Sequence, residues 1–208
     1  HRDLHSFPTR RSSDLTGDDC ICLKAGRDED GWAVGKPCEN LIIRRCRTMK
    51  GHGGVVFGSE MSAGIRNVFV HDCVFNGTNI GLRFKSIPGR GGYVENIWCQ
   101  DITMDNIRDA AIHMTFRYSK PDSVSRAQPR FSGFHIRGVT CAKAKRAVVI
   151  EGLEENRMED ITLENVRVTA KRGVSAAHVK GLRLKGIELD GAEGEPFRLE
   201  ACEGVERG

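Results

Sequence analysis

One eight-residue pattern of apolar and polar positions returns six times along this chain. Apolar residues fall at its first, third, sixth and eighth positions. It runs LIIRRCRT from Leu41, VFVHDCVF from Val68, IWCQDITM from Ile97, FHIRGVTC from Phe134, ITLENVRV from Ile161 and LRLKGIEL from Leu182. Successive starts lie 27, 29, 37, 27 and 21 residues apart. Ahead of each unit stands Asn40, Asn67, Asn96, Gly133, Asp160 or Gly181, all turn-forming types. A second short apolar run follows each unit: GVVFGS from Gly54, GLRFKS from Gly81, AAIHMT from Ala110, RAVVIE from Arg146, GVSAAH from Gly173 and PFRLEA from Pro196. Alternate residues of a strand face one side. Aligned by their starts, these runs predict an inward column of Val55, Leu82, Ala111, Ala147, Val174 and Phe197. A second predicted inward column holds Phe57, Phe84, His113, Val149, Ala176 and Leu199.

Each unit is too short to bury its apolar face alone, and stacking the units makes a continuous core. A period of this length with two or more strands per turn predicts an all-β chain, folded as a single-stranded parallel β-helix. A leucine-rich repeat is excluded because no fixed Leu-x-x-Leu-x-Leu frame recurs. A β-sandwich does not explain columns that hold their phase over six units.

The first fifteen residues, HRDLHSFPTRRSSDL, carry no period. They back-translate without a gap into a widely used short-read sequencing adapter. Residues 1–15 are therefore expected to be a translated artefact outside the solenoid, with natural sequence beginning near Thr16 and its upstream part missing. Residues 16–208 are expected to form the C-terminal part of a β-helix domain. The remaining 193 residues lose three Arg and two Asp, which lowers the net charge from +4 to +3. No basic stripe with interleaved aromatics marks a nucleic-acid surface, and no apolar run reaches membrane-span length. The eight Cys lack paired C-x-x-C spacing and read chiefly as buried free thiols, with a disulfide at Cys20, Cys22 or Cys38 left open.

Three polar clusters interrupt the repeat: Gly17-Asp18-Asp19, Gly51-His52-Gly53 and Arg83-Phe84-Lys85. Aligning DDCICLKAG with the second-strand series puts Asp18, His52 and Asn79 in one column, and Asp19, Gly53 and Ile80 in the next. Cys22, Val56 and Arg83 form an outward column, as do Lys24, Gly58 and Lys85. Gly53 and Gly58 keep the floor between them low. A regular strand would send Asp18 and Asp19 to opposite faces, so both are expected in the turn before Ile21. Taken singly, Gly-Asp-Asp is commonly a solvated turn, a His between glycines a loop residue, and Arg-Phe-Lys an outward-charged strand. In adjacent columns they form a groove in which carboxylates can act as acid and base and an Arg/Lys pair can hold a carboxylate. His113, in an inward column, is expected to be a core residue. His71, His135 and His178 receive no role, and Asp28, Glu29 and Asp30 read as a solvated loop.

TGDDC, GHG and RFK, in that order and repeat phase, resemble the signature segments of polygalacturonases, glycoside hydrolase family 28. CENLIIRRC, GHGGVVFGSEMSAGIRNVFV and GLRFKSIPGRGGYVENI look like bacterial members. The likeness spans Thr16 to about Glu203. It implies a right-handed parallel β-helix that hydrolyses galacturonan with inversion. It further implies that Asp18 is the general acid, Asp19 helps to activate water, His52 supports the protonation of the acid, and Arg83 and Lys85 bind a galacturonate carboxylate. By position Tyr118 resembles the family tyrosine lining the sugar subsite. Lys24, in the outward column of Lys85, joins the expected substrate-binding set. The family also carries an Asp in an upstream Asn-x-Asp segment, which the adapter string replaces here. The expected partner is a pectic polysaccharide, met by a secreted or periplasmic monomer with no cofactor, metal, nucleic acid or membrane. Two other functions remain: a rhamnogalacturonan hydrolase on the same scaffold, and a non-catalytic glycan-binding solenoid. A lyase would want a Ca²⁺ cluster of carboxylates, and one Asp pair does not supply it.

Overall fold

The computed structural model of the chain describes residues 5–6, 13–120 and 125–208. In chain order its elements begin with β1 (His5–Ser6), β2 (Ser13–Leu15), β3 (Ile21–Leu23), α1 (Asp28–Val34), β4 (Cys38–Arg44), β5 (Arg47–Met49) and β6 (Gly53–Gly58). There follow β7 (Ile65–Asn76), β8 (Ile80–Lys85), β9 (Tyr93–Asp105), β10 (Ala110–Thr115) and β11 (Arg130–Glu151). The last are β12 (Met158–Ala177), β13 (Val179–Asp190), β14 (Phe197–Glu200) and β15 (Glu206–Arg207). Every strand-to-strand ladder is parallel, each strand pairing with its counterpart one coil away. This is the parallel β-helix that the repeat predicts. No helix among the described residues is long and apolar enough to cross a membrane.

The backbone explains why the repeat reads one, three, six, eight rather than strictly alternating. The residue ahead of each unit adopts positive φ: Asn40, Asn67, Asn96, Gly133, Asp160 and Gly181, between 51° and 74°. So does the fifth residue, namely Arg45, Asp72, Asp101, Gly138, Asn165 and Gly186. The chain bends at both places, and the second bend shifts the inward phase by one. Asn and Asp tolerate this left-handed region best after Gly. At the first bend Asn67 Nδ2 donates to Asn40 Oδ1 at 3.1 Å and Asn96 Nδ2 to Asn67 Oδ1 at 2.7 Å.

The core runs along the axis of the stack. Val68, Ile97, Phe134, Ile161 and Leu182 pair in register and are buried. Phe57 and Phe84 stack at 4.6 Å on successive coils, and Phe84 meets Phe134 edge-on across the interior. Cys73, Cys99 and Cys141 are buried thiols outside any disulfide. Burial pushes the Cys73 thiol up to about 12 and Cys141 to about 11.

Three expectations need correction. The observed inward columns are Val55–Leu82–Ile112–Val148–Val174–Phe197 and Phe57–Phe84–Met114–Ile150–Ala176–Leu199. The segments at Ala110 and Arg146 are thus one residue out of the predicted phase. Their runs of apolar residues lack the alternation that fixes register, and a one-residue slip turns every side chain to the other face. His113 and Val149 therefore lie in the outward column of Arg83. Second, part of residues 1–15 does join the sheet: β1 pairs with β4 at Leu41 and Ile42, and β2 pairs with β5 at Arg47 to Met49. Those strands offer an unpaired edge, which an extended backbone satisfies whatever its sequence. Third, Asp28 is not solvated. It opens α1, and its carboxylate takes Arg90 Nη1 at 3.1 Å while its N–H donates to Ser62 Oγ at 2.7 Å.

Candidate active site

Asp18 and Asp19 stand in irregular chain just ahead of β3, as the spacing requires. The turn is laced to the next coil through the backbone. Asp18 carbonyl accepts from His52 N–H at 3.0 Å, and Cys20 N–H donates to Gly53 carbonyl at 2.9 Å. One coil further, Ile80 N–H donates to the His52 carbonyl at 3.2 Å. The predicted column of Asp18, His52 and Asn79 is therefore real. Gly51 permits it: its φ is 94°, and a Cβ there would sit 2.5 Å from the Asp18 carbonyl oxygen.

The two carboxylates face different surroundings. The Asp18 side chain is 85% exposed, and that of Asp19 is 8% exposed. Asp18 Oδ1 accepts from the backbone N–H of Asp19 at 2.8 Å and lies 3.0 Å from His52 Nδ1. These contacts, the backbone one first, hold the Asp18 carboxyl below its ordinary range. Asp19 reaches instead across the space left by Gly53, where a Cβ would come within 3.3 Å of its Oδ1. Its Oδ2 accepts from Lys85 Nζ at 2.6 Å and its Oδ1 from Arg83 Nη1 at 3.4 Å.

Tyr118 closes the far side. Its ring centroid lies 4.6 Å from Lys85 Nζ and 5.2 Å from Arg83 Cζ, a cation–π arrangement. So Asp18, Asp19, His52, Arg83, Lys85 and Tyr118 form one contact network on one face. Arg83 and Lys85 stand two coils from the acidic pair, as the columns place them, and their side chains reach back to Asp19. Which charged partner a side chain selects depends on its direction, which column counting does not give. One donor atom from each of Asp18, Asp19 and His52 lies within 4.8 Å of the others. Both Asp19 oxygens are engaged by cations, which makes that carboxylate a poor metal ligand.

Lys24 departs from expectation. It shares the face, but its ammonium pairs with Glu60, a contact that also raises the Lys24 pKa. Its charge is thus directed at the neighbouring turn rather than the groove. The residues missed from sequence are His113 and Glu151, on the next coils of the same face. His113 Nε2 lies 3.2 Å from Glu151 Oε2. That hydrogen bond, aided by Thr115, outweighs partial burial and holds the Glu151 carboxyl at about 2. Correct phasing of the Ala110 segment would have found the pair.

Residues 12–190 match the model of the family described as Glycosyl hydrolases family 28. Over 158 residues the chain is 35% identical to a probable polygalacturonase of Vitis vinifera, covering 74% of this chain and 32% of that protein. It is 30% identical to an endo-polygalacturonase of Pectobacterium carotovorum subsp. carotovorum over 74% of this chain and 36% of the other. The chain thus spans about a third of the length of these curated relatives. Among solved structures, a hyperthermoactive exopolygalacturonase of Thermotoga maritima superposes with a TM-score of 0.80 at 32% identity, over 85% of this chain and 40% of that one. A family 28 exopolygalacturonase of Yersinia enterocolitica gives 0.84 at 22% identity, over 91% and 34%, a likeness of fold.

Proposed function

The chain belongs to glycosyl hydrolase family 28, and from that membership we propose that it carries the sugar-acid-binding part of a secreted enzyme. This enzyme hydrolyses α-1,4-galacturonosyl linkages of pectic polymers. The observation that carries the reading is the charge balance at the foot of the groove. Arg83 and Lys85 bring two positive charges to the single buried carboxylate of Asp19. Asp18 is exposed and hydrogen-bonded to His52, so the two cations can take one further carboxylate, and a galacturonate ring under Tyr118 supplies it. Charge-assisted hydrogen bonds from an Arg and a Lys suit that ligand.

Asp18 is the general acid in this reading. In the free protein its carboxyl is held ionised, so substrate must change its state. A docked galacturonate carboxylate offsets the local positive charge, and the sugar excludes water from an otherwise exposed group. Both effects favour the protonated form. His52, in hydrogen-bond contact with Asp18, positions that proton toward the leaving oxygen. Asp19 acts mainly by fixing Arg83 and Lys85. Inversion needs carboxyl groups about 6.5–9.5 Å apart to admit a water. Both Asp19 oxygens are held by Lys85 and Arg83, which leaves that carboxylate poorly placed to take a proton from water. The base is then a third carboxylate across the groove, as the upstream Asn-x-Asp of related sequences implies. Incubating the full-length protein with polygalacturonate should release reducing ends and no unsaturated uronate. Release of the unsaturated product, or binding without release, would contradict the reading.

A further inference from the structure

The sheet that carries Arg83 and Lys85 does not end at the site. Its outward column continues from Arg83 to His113, Val149, Ser175 and Arg198 in unbroken register. Past the His113–Glu151 pair this face opens into a cleft of about 530 Å³. Arg146, Arg172 and Arg198 line it together with Glu151, Glu193 and Glu195. Arg146 is engaged by Asp109 in a two-pronged pair at 2.8 and 2.6 Å, and Glu151 by His113. Arg172 and Arg198 are exposed, and their guanidinium groups make no hydrogen bond or ion pair among the described residues.

Free guanidinium groups beside free carboxylates fit one class of ligand well. A uronic-acid residue offers a carboxylate to an Arg fork and ring hydroxyls to Glu oxygens. A polyanion without hydroxyls would meet the repulsion of Glu193 and Glu195. We propose that this cleft is a second uronate subsite, in which Arg172 and Arg198 hold a sugar carboxylate of the same polymer that occupies the Arg83–Lys85 site. The inference rests on the function proposed above. Four register steps of roughly 4.8 Å place Arg198 about 19 Å along the stack from Arg83. A disaccharide cannot bridge the two sites, whereas a hexasaccharide can.

The test is calorimetric binding of galacturonate dimer and hexamer to the full-length protein, with Asp18→Asn present throughout so that neither ligand is hydrolysed. Adding Arg172→Ala and Arg198→Ala should weaken the hexamer tenfold or more and leave the dimer within twofold. Adding Arg83→Ala instead should weaken both. The two cleft side chains are exposed, so their loss leaves folding intact, which circular dichroism checks. An unchanged hexamer affinity, or equal weakening of dimer and hexamer, would overturn the subsite while dimer binding upheld the first site. If the protein without the cleft substitutions bound neither oligomer, the galacturonan reading itself would fall, and the subsite with it.

Discussion

Asp18 and Asp19 are neighbours of identical chemistry, and substituting each by Asn should have very unequal effects on stability. The Asp19 carboxylate is buried between Lys85 and Arg83, whose side chains are 6% and 17% exposed. Asp19→Asn keeps the shape and removes the charge, leaving two largely buried cations facing each other. Removing one partner of such a pair costs about 3–5 kcal/mol. The amide oxygen still accepts one hydrogen bond, so the lower end, about 3 kcal/mol, is expected. For a chain of this size that corresponds to a fall in Tm of about 6–12 °C. Asp18 is 85% exposed, and Asp18→Asn should shift stability by less than about 0.5 kcal/mol. Thermal unfolding followed by circular dichroism reads both. Added galacturonate should recover part of the loss in Asp19→Asn, since the sugar carboxylate can stand in for the missing charge. Equal Tm values for the two variants would refute the argument that Asp19 is the anchor of the cation pair.

Three further outcomes follow from the same geometry. In the full-length protein Asp18→Asn should abolish hydrolysis and preserve oligogalacturonate binding, measured by product release and calorimetry; retained turnover would remove Asp18 as the acid. Lys85→Ala should lower kcat/KM roughly ten- to hundredfold, the scale of a charge-assisted hydrogen bond of about 1.5–3 kcal/mol. That penalty should shrink on methyl-esterified pectin, and an equal penalty on both substrates would show that Lys85 does not read the carboxylate. The Glu151 carboxyl is lowered from 4.5 to about 2, so its contribution to stability is complete above the unfolded value and is lost as pH falls between the two. Tm measured from pH 5 to pH 2 should therefore fall less steeply in Glu151→Gln than in the unaltered chain, and parallel curves would count against the His113–Glu151 pair.

Much of this was legible in the chain. The stack of Asp18 on His52 needed only the column alignment, because backbone register in a solenoid is inherited from coil to coil. The turn residues before each unit, from Asn40 to Gly181, were visible as types, and they proved to be left-handed bends. The second bend, at positions such as Asp72 and Gly138, was hidden because it falls inside the repeat unit rather than ahead of it, although five of its six residues are Asp, Asn or Gly. The phase of Ala110 to Thr115 was misread because a strand buried along nearly its whole length carries no alternation. Side-chain partners were the least legible. Lys24 could face Lys85 or Glu60, and only the path of the turn after β6 decides for Glu60. The low floor at Gly53 was legible, but the spacing did not tell that Asp19 crosses it to reach Arg83 and Lys85.

The central claim is that this groove hydrolyses a galacturonan chain by inversion, with Asp18 as acid and a third carboxylate as base. Proton NMR of the first products from trigalacturonate, taken before mutarotation, tests it most directly in the full-length protein. The β-anomer of the newly formed reducing end should appear first. Early appearance of the α-anomer, or of an unsaturated uronate, would contradict the account.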